Sequence, residues 1–108
     1  MRSLKENYEF RRAYSKGKSF VSPSLVTYCV KKKYGSVRVG ITTGKKIGCA
    51  VDRNRARRVI RAAFRELEND IRGNWDIVFV ARTKTAHDKM QVVLEQMRDH
   101  LKKAGLIQ

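Results

Sequence analysis

The stretch 45–66, KKIGCAVDRNRARRVIRAAFRE, combines dense positive charge with apolar residues at helical spacing. On a helix of about 3.6 residues per turn, its apolar residues fall on one stripe and its cations project from the opposite side. The predicted apolar stripe consists of Ala56, Val59, Ile60, Ala63, Phe64 and Leu67. The predicted basic face, with the lysines that precede it, consists of Lys45, Lys46, Arg53, Asn54, Arg55, Arg57, Arg58, Arg61 and Arg65.

This basic face has few acids to balance it. Asp52 is the single acid between positions 45 and 65, so the arginines repel one another unless something negative lies across them. A solvated face is the ordinary alternative for a run of charge. The net charge of +15 over 108 residues, with a pI near 10.4, favours a polyanionic partner instead. A phosphate backbone fits best, because each neutralised phosphate also releases condensed counterions.

A membrane partner is disfavoured. The amphipathic helix lacks a face rich in Trp, Phe and Leu, and the longest apolar run, 75–81, is short enough for a strand. The N-terminal residues contain no signal-peptide core, so we expect a cytoplasmic protein. Cys29 and Cys49 lack metal-ligand spacing and are expected to be reduced thiols.

The remaining pattern predicts one α+β domain over residues 1–108. Residues 7–16 form a short helix capped by Asn7, and strands follow at 18–21, 25–33 and 37–43, the last two as an antiparallel hairpin. Gly40 indicates a bulge or a close approach to the backbone. The run 75–82 is apolar on both faces, as in an inner strand.

A last helix is predicted to end at Gly105, with Thr85 and Asp88 at capping-box spacing before it. The element order is therefore αβββαβα. We expect a two-layer sandwich of helices on a mixed four-stranded sheet.

Catalytic residues are not evident. His87 and His100 are isolated and expected to be solvated, and Asp52 and Glu66 are too far apart on the helix to clamp a metal together. No phosphate-binding loop, zinc spacing or catalytic triad occurs. The sequence predicts no catalytic residue and leaves open whether the protein holds any metal.

RNA is the favoured polyanion. Arginine forks and the Asn54 amide can bind phosphates and base edges, and aromatic rings can stack on unpaired bases. The candidate stacking residues are Phe10, Tyr14, Phe20 and Tyr28. A reader of duplex DNA is the alternative, but no partner helix of helix-turn-helix type accompanies the arginine helix.

The tripeptide Arg53-Asn54-Arg55 stands in a longer frame that resembles the "RNR" signature of the bacterial ribonuclease P protein component. The frame begins with 45–48 and Ala50-Val51, and continues with Arg58, Ile60-Arg61 and 63–65. Further matching positions cover nearly the whole chain: Leu4, Phe10, Gly17, the strand 38–40 and the strand 76–78. The sequence departs from the family pattern at three positions. Gly44 replaces a frequent serine, Asp52 stands directly before the signature, and Tyr14 replaces a commoner Phe.

The resemblance implies a basic subunit of an endoribonuclease ribonucleoprotein that removes the 5′ leader of precursor tRNA. The RNR helix would face the catalytic RNA, and a cleft between that helix and the sheet would hold the single-stranded leader against Phe10, Tyr14 and Tyr28, with Phe20 at its margin. The RNA would carry the catalysis and hold Mg²⁺, so the protein alone would be inactive. The resemblance also implies a left-handed βαβ crossover, against the general right-handed rule. A structural RNA-binding protein of ribosomal type and a protein-only ribonuclease are the alternatives.

Overall fold

The computed structural model describes residues 2–108, which form a mixed five-stranded sheet and three α-helices. The strands are β1 (Arg2–Ser3), β2 (Lys18–Ser22), β3 (Leu25–Lys32), β4 (Arg38–Thr42) and β5 (Asn74–Ala81). The helices are α1 (Asn7–Lys16), α2 (Ala50–Leu67) and α3 (Met90–Ala104). The α+β class and the order of the predicted elements are confirmed, and the two-residue β1 adds a fifth strand. None of the helices in residues 2–108 is both long and apolar enough to cross a membrane.

The strand order β1-β4-β5-β3-β2 corrects the predicted hairpin between β3 and β4. β5 lies between these two strands, antiparallel to β3 and parallel to β4. β5 is the strand with apolar residues on both faces, and a central position is where both faces can be covered. α2 connects the parallel neighbours β4 and β5, so these three elements form the βαβ unit for which the resemblance implies a left-handed crossover.

Alternate residues of β5 belong to two separate hydrophobic clusters. Ile77 and Phe79 pack in the larger cluster with the stripes of α2 and α3. Val78 packs in the smaller cluster with Ala13 of α1 and Val30 of β3. Because successive side chains of a strand point to opposite faces, α1 lies on the face of the sheet opposite α2 and α3. The helices therefore cover both faces of the sheet, which gives three layers in place of the expected two.

The predicted stripe of α2 is the centre of the larger cluster. All six of its residues are buried, and the ring of Phe64 lies 5.7 Å from the ring of Phe79, centroid to centroid. Burying a side chain of this kind contributes about 1.5–3 kcal/mol. Because one face of α2 packs against the sheet, its opposite face is exposed to solvent.

Gly40 does not mark a bulge, because β4 and β5 pair in unbroken register from Arg38↔Asp76 to Thr42↔Val80. A Cβ atom at Gly40 would lie only 2.4 Å from Cε1 of Phe10. Glycine is therefore needed at this position because the Phe10 ring of α1 lies against the strand.

The ends of two helices differ from the prediction. α1 is capped by Glu6 and Glu9 in a reciprocal capping box, and Asn7 is its first helical residue. α3 begins at Met90, and the Thr85 and Asp88 side chains bind Ser24 in the β2–β3 turn instead of capping the helix. Gly105, at φ 91°, ends α3 as predicted.

Candidate nucleic-acid interface

The basic face of α2 is open to solvent. Arg53 is half-buried, and the other basic-face residues of the helix are exposed: Asn54, Arg55, Arg57, Arg58, Arg61 and Arg65. Lys45 and Lys46 are exposed on the 3₁₀ turn before the helix, which the buried Ile47 anchors to the core. The prediction of one apolar and one cationic face is confirmed.

These arginines are not neutralised by the described ion pairs of residues 2–108. Those pairs join Lys32 and Arg38 to Glu9 and Asp76, and Lys103 to Asp99. Arg55 Nε donates a hydrogen bond of 2.6 Å to the carbonyl oxygen of Ala86, and Arg57 donates a longer one of 3.5 Å to the side-chain oxygen of Asn54. The remaining α2 arginines form a cationic surface that an anion can approach.

Three of the four candidate stacking residues lie on the α1 face of the sheet. The rings of Tyr14 and Tyr28 meet edge to face with centroids 5.0 Å apart, and Tyr14 is 42% exposed. Phe10 lies beside them against Gly40. We call the surface formed by these three rings and the half-buried Val80 below them the aromatic groove.

Phe20, the fourth candidate, lies on the other face of the sheet, apart from the aromatic groove. It is paired with Thr27, whose hydroxyl is hydrogen-bonded to Nδ1 of His100 at 2.8 Å. The Phe20 ring itself stacks on the His100 ring, with centroids 5.9 Å apart and planes 27° apart. The alternation of β2 therefore places Phe20 against α3 and not at the margin of the groove.

The aromatic groove and the α2 face meet at Phe10. A cavity of about 190 Å³ at the β4 edge is lined by Phe10 and Gly40 on one side and by Arg57 and Arg61 on the other. A nucleic-acid strand can therefore contact the Phe10 ring and the guanidinium groups of Arg57 and Arg61 at one place. Sequence reasoning did not find Val80, whose half-buried position within an otherwise buried strand becomes visible only once α1 is placed.

A buried ionic network holds α1 on the sheet. Arg38 of β4 donates two hydrogen bonds of 3.0 Å to the Asp76 carboxylate, and Lys32 Nζ lies 3.0 Å from the same carboxylate. The guanidinium also pairs with Glu9 of α1. Glu9 in turn accepts hydrogen bonds from the backbone N–H groups of Lys5 and Glu6 at the helix start. We call Glu9, Lys32, Arg38 and Asp76 the α1 clamp.

The clamp shifts the pKa values of its members. Hydrogen bonds from the backbone at Glu6 and Lys5, together with Arg38, hold the pKa of Glu9 below its ordinary value against the opposing effect of burial. Burial would raise the pKa of Asp76, but hydrogen bonds from Arg38 and Lys32 outweigh it and lower that pKa. Both carboxylates are therefore ionised, and the cations of the clamp neutralise them. Their charge is not available to neutralise the α2 arginines.

The two histidines lie in different environments. His87 is exposed, as predicted, whereas His100 is only 2% exposed, which corrects the expectation that it is solvated. Its two ring nitrogens are hydrogen-bonded to the hydroxyls of Ser22, at 2.7 Å, and Thr27. Burial lowers the pKa of His100, so the ring is neutral and joins β2 and β3 to α3.

The His, Cys, Asp and Glu residues of residues 2–108 are dispersed over the structure. No group of three or more His, Cys, Asp or Glu residues in this part of the chain is arranged to hold a metal. Glu9 and Asp76, the two buried acids, are bound to Arg38 and Lys32 and are not free to bind a metal. Cys29 is buried and Cys49 exposed, and both are free thiols.

The chain matches known proteins over almost its whole length. The family model described as Ribonuclease P matches residues 1–105. The ribonuclease P protein component of Thermoanaerobacter sp. (strain X514) is 39% identical over 103 residues, covering 95% of this chain and 89% of that protein. The RNase P protein of Staphylococcus aureus has a similar structure, with a TM-score of 0.85, 30% identity, and coverage of 100% of this chain and 99% of that one. The RNase P protein of Thermotoga maritima superposes with a TM-score of 0.81 at 27% identity, over 95% of this chain and 97% of that one. With its RNR signature on the exposed face of α2, the chain belongs to the ribonuclease P protein family.

Proposed function

We propose that the chain is the protein subunit of ribonuclease P and assists the endonucleolytic removal of the 5′ leader from precursor tRNA in the cytoplasm. The basic face of α2 binds the catalytic RNA, and the aromatic groove binds the single-stranded leader. The observation that carries this proposal is the meeting of an arginine face without described acid partners and a groove of aromatic rings at Phe10.

The charge of α2 supports the first contact. Guanidinium groups on a rigid helix present planar donors to phosphates, and the fixed core stripe prevents the helix from turning them away. Arg57 and Arg61, one turn apart, both line the cavity beside Phe10. Arg58 is exposed on the same helix. This surface suits an RNA backbone held in a defined orientation.

The rings support the second contact. Tyr14 is held by its edge-to-face contact with Tyr28, so each ring is fixed in place before a base arrives. Stacking of one base on such a ring contributes roughly 1–3 kcal/mol and tolerates any sequence. A groove of this kind suits a leader whose sequence varies between transcripts.

The protein's own contribution is binding and charge screening. The groove is formed by three aromatic rings and Val80, which suit binding, and we propose that the RNA carries the cleavage chemistry and would hold the Mg²⁺ that the reaction needs. A subunit with a net charge of +15 lowers the repulsion between the two RNAs and so reduces the metal concentration required.

The test combines purified protein with its cognate catalytic RNA at low Mg²⁺. We expect 5′-matured tRNA from the mixture and intact precursor from the protein alone. Cleavage by the protein without RNA would contradict the proposal, and its loss on replacing His87 would identify a protein-only ribonuclease. Co-sedimentation with ribosomes and no effect on the catalytic RNA would instead indicate a structural RNA-binding protein.

Variants separate the two contacts. Arg58→Ala with Arg61→Ala should weaken binding to the catalytic RNA and reduce the slope of log affinity against log salt by about one unit per lost phosphate contact. The matched control, Lys84→Ala with Lys102→Ala, removes the same charge from exposed positions outside α2. Tyr28→Ala should chiefly weaken substrates that carry a leader, by roughly 1–3 kcal/mol per stacked base. An equal loss for a substrate without a leader would contradict the role of the groove.

A further inference from the structure

We infer that a second cationic surface, at the β3 edge of the sheet, binds the phosphates of the upstream part of a long leader after it leaves the aromatic groove. This inference rests on the proposed function and adds a separate contact to it. We call the surface the β3-edge band. It consists of Arg12, Lys16, Lys18, Lys31 and Lys33, with Tyr34 at its far end.

The band is continuous because two adjoining depressions share Lys31. One, of about 370 Å³, is lined by Arg12, Lys31, Lys33 and Tyr34, with Lys32 in its wall. The other, of about 470 Å³, is lined by Lys16, Lys18 and Lys31 and reaches Trp75 and the C-terminal end of α3. β2 pairs with β3 only up to Lys18↔Cys29, so the end of β3 forms an open edge between them.

The charge of the band is uncompensated. Neither depression contains an Asp or Glu in its lining, whereas the depressions near Glu66 and near Glu6 do. The acids closest to Lys32 are those of the α1 clamp, in which two carboxylates are balanced by Lys32 and Arg38. The five cations of the band are exposed and take part in none of the described ion pairs.

The position of the band separates it from the α2 face. The cavity beside Arg57 and Arg61 lies at the β4 edge, and β5 stands between β4 and β3. RNA bound along α2 would therefore need a further segment to reach the band.

The band instead adjoins the aromatic groove. Tyr14 precedes Lys16 by two residues on α1, and Tyr28 pairs with Ser19, the residue after Lys18. Lys18 pairs with Cys29 and Lys31 with Trp75, so the alternation of the strands turns both lysines to the α3 face of the sheet. A strand that passes the C-terminal end of α1 reaches Lys16 first and then follows the open end of β3 round to Lys18 and Lys31. A single-stranded nucleic acid needs both kinds of contact, rings for its bases and cations for its backbone, and the 83% exposed ring of Tyr34 can stack one more base.

The experiment compares two precursor tRNAs, with leaders of about 4 and about 16 nucleotides, which bracket the site sizes of single-strand-binding folds. The holoenzyme carries Lys16→Ala, Lys18→Ala and Lys31→Ala together, and substrate affinity is measured over a range of salt. With about 0.7 unit of slope per phosphate on a single strand, three lost contacts should reduce the salt slope by about 2 for the long leader. The short leader should show no change.

The control triple, Lys84→Ala with Lys89→Ala and Lys102→Ala, removes equal charge from exposed positions outside the band and should leave both slopes unchanged. Tyr34→Ala provides a second variant without any change of charge, and it should weaken only the long-leader substrate. Equal losses for both leaders would overturn the inference by placing the contact on tRNA or catalytic RNA. Equal effects of the two triple variants would overturn it by showing that the band is only a solvated surface. If Tyr28→Ala did not weaken leader binding, that result would contradict the proposed function instead. Failure of the inference and failure of the proposed function are therefore distinguishable.

Discussion

Replacing Arg38 with alanine tests whether the α1 clamp stabilises the fold. Arg38 donates both hydrogen bonds of 3.0 Å to Asp76, which is 2% exposed. Removing one partner of a buried ion pair costs about 3–5 kcal/mol, and a single hydrogen bond to a charged group about 1.5–3 kcal/mol. Lys32 remains on Asp76, and about a third of the Arg38 side chain is exposed, so the loss should fall near the lower values. We expect Arg38→Ala to reduce the free energy of unfolding by about 2–3 kcal/mol, which lowers Tm by roughly 10–20 °C.

Urea unfolding followed by the fluorescence of the buried Trp75 measures this loss. The control is Lys103→Ala, which removes an ion pair with Asp99 in which both side chains are more than half exposed. Exposed pairs contribute about 0–1 kcal/mol, so this variant should unfold almost as the parent does. Similar losses for Arg38→Ala and Lys103→Ala would refute the reasoning.

The pH dependence gives a second readout of the same variant. The pKa values of Glu9 and Asp76 are lowered in the folded state, so their stabilisation is fully present above their unfolded values, near 4, and is lost as pH falls through the folded values. Part of that stabilisation depends on Arg38. The stability difference between the parent and Arg38→Ala should therefore shrink at low pH, and a constant difference would show that the carboxylates are not involved.

Three further predictions follow from single side chains. Gly40→Ala places a methyl group against the Phe10 ring and should reduce the free energy of unfolding by about 1–3 kcal/mol in a urea titration; an unchanged stability would mean that the ring is not held there. A thiol reagent at mildly alkaline pH should modify the exposed Cys49 rapidly and Cys29 only after unfolding, because burial raises the pKa of Cys29 to about 12; equal labelling rates would contradict this burial. The pKa of His100 is lowered by burial, so its neutral form stabilises the protein above about pH 6.5 and this stabilisation is lost as pH falls below that value. A His100→Gln variant should not show that component of the pH titration of stability, and persistence of the component would assign it to another group.

The sequence was sufficient to predict the helices and their faces. The α2 stripe is buried and the α2 arginines are exposed. The 3.6-residue period puts the apolar residues on one side of the helix, and burying that side in the core fixes the orientation of the helix. The two-residue period of a strand, by contrast, predicts which residues lie on each of its faces but not which strands pair with it. The pairing of β3 with β4 was wrong for this reason, and the apolar character of both faces of β5 was the signal that it would lie between them.

The sequence predicted candidate residues but not the surfaces on which they lie. Phe10, Tyr14 and Tyr28 meet because α1 crosses one face of the sheet, and Phe20 is separate because the register of β2 turns it to the other. His100 was taken as solvated because nothing near it in the chain indicates the hydroxyls of Ser22 and Thr27, which are distant in sequence. Contacts between distant segments decided each of these outcomes.

The alternation of β5 has a consequence for how the family can diversify. Ile77 and Phe79 hold the scaffold together, whereas their immediate neighbours Val78 and Val80 shape the floor beneath the aromatic rings. Neighbouring residues of β5 are therefore under different packing constraints. Substitutions at the second pair would change the surface beneath the rings while the interior shared with α2 and α3 keeps its packing.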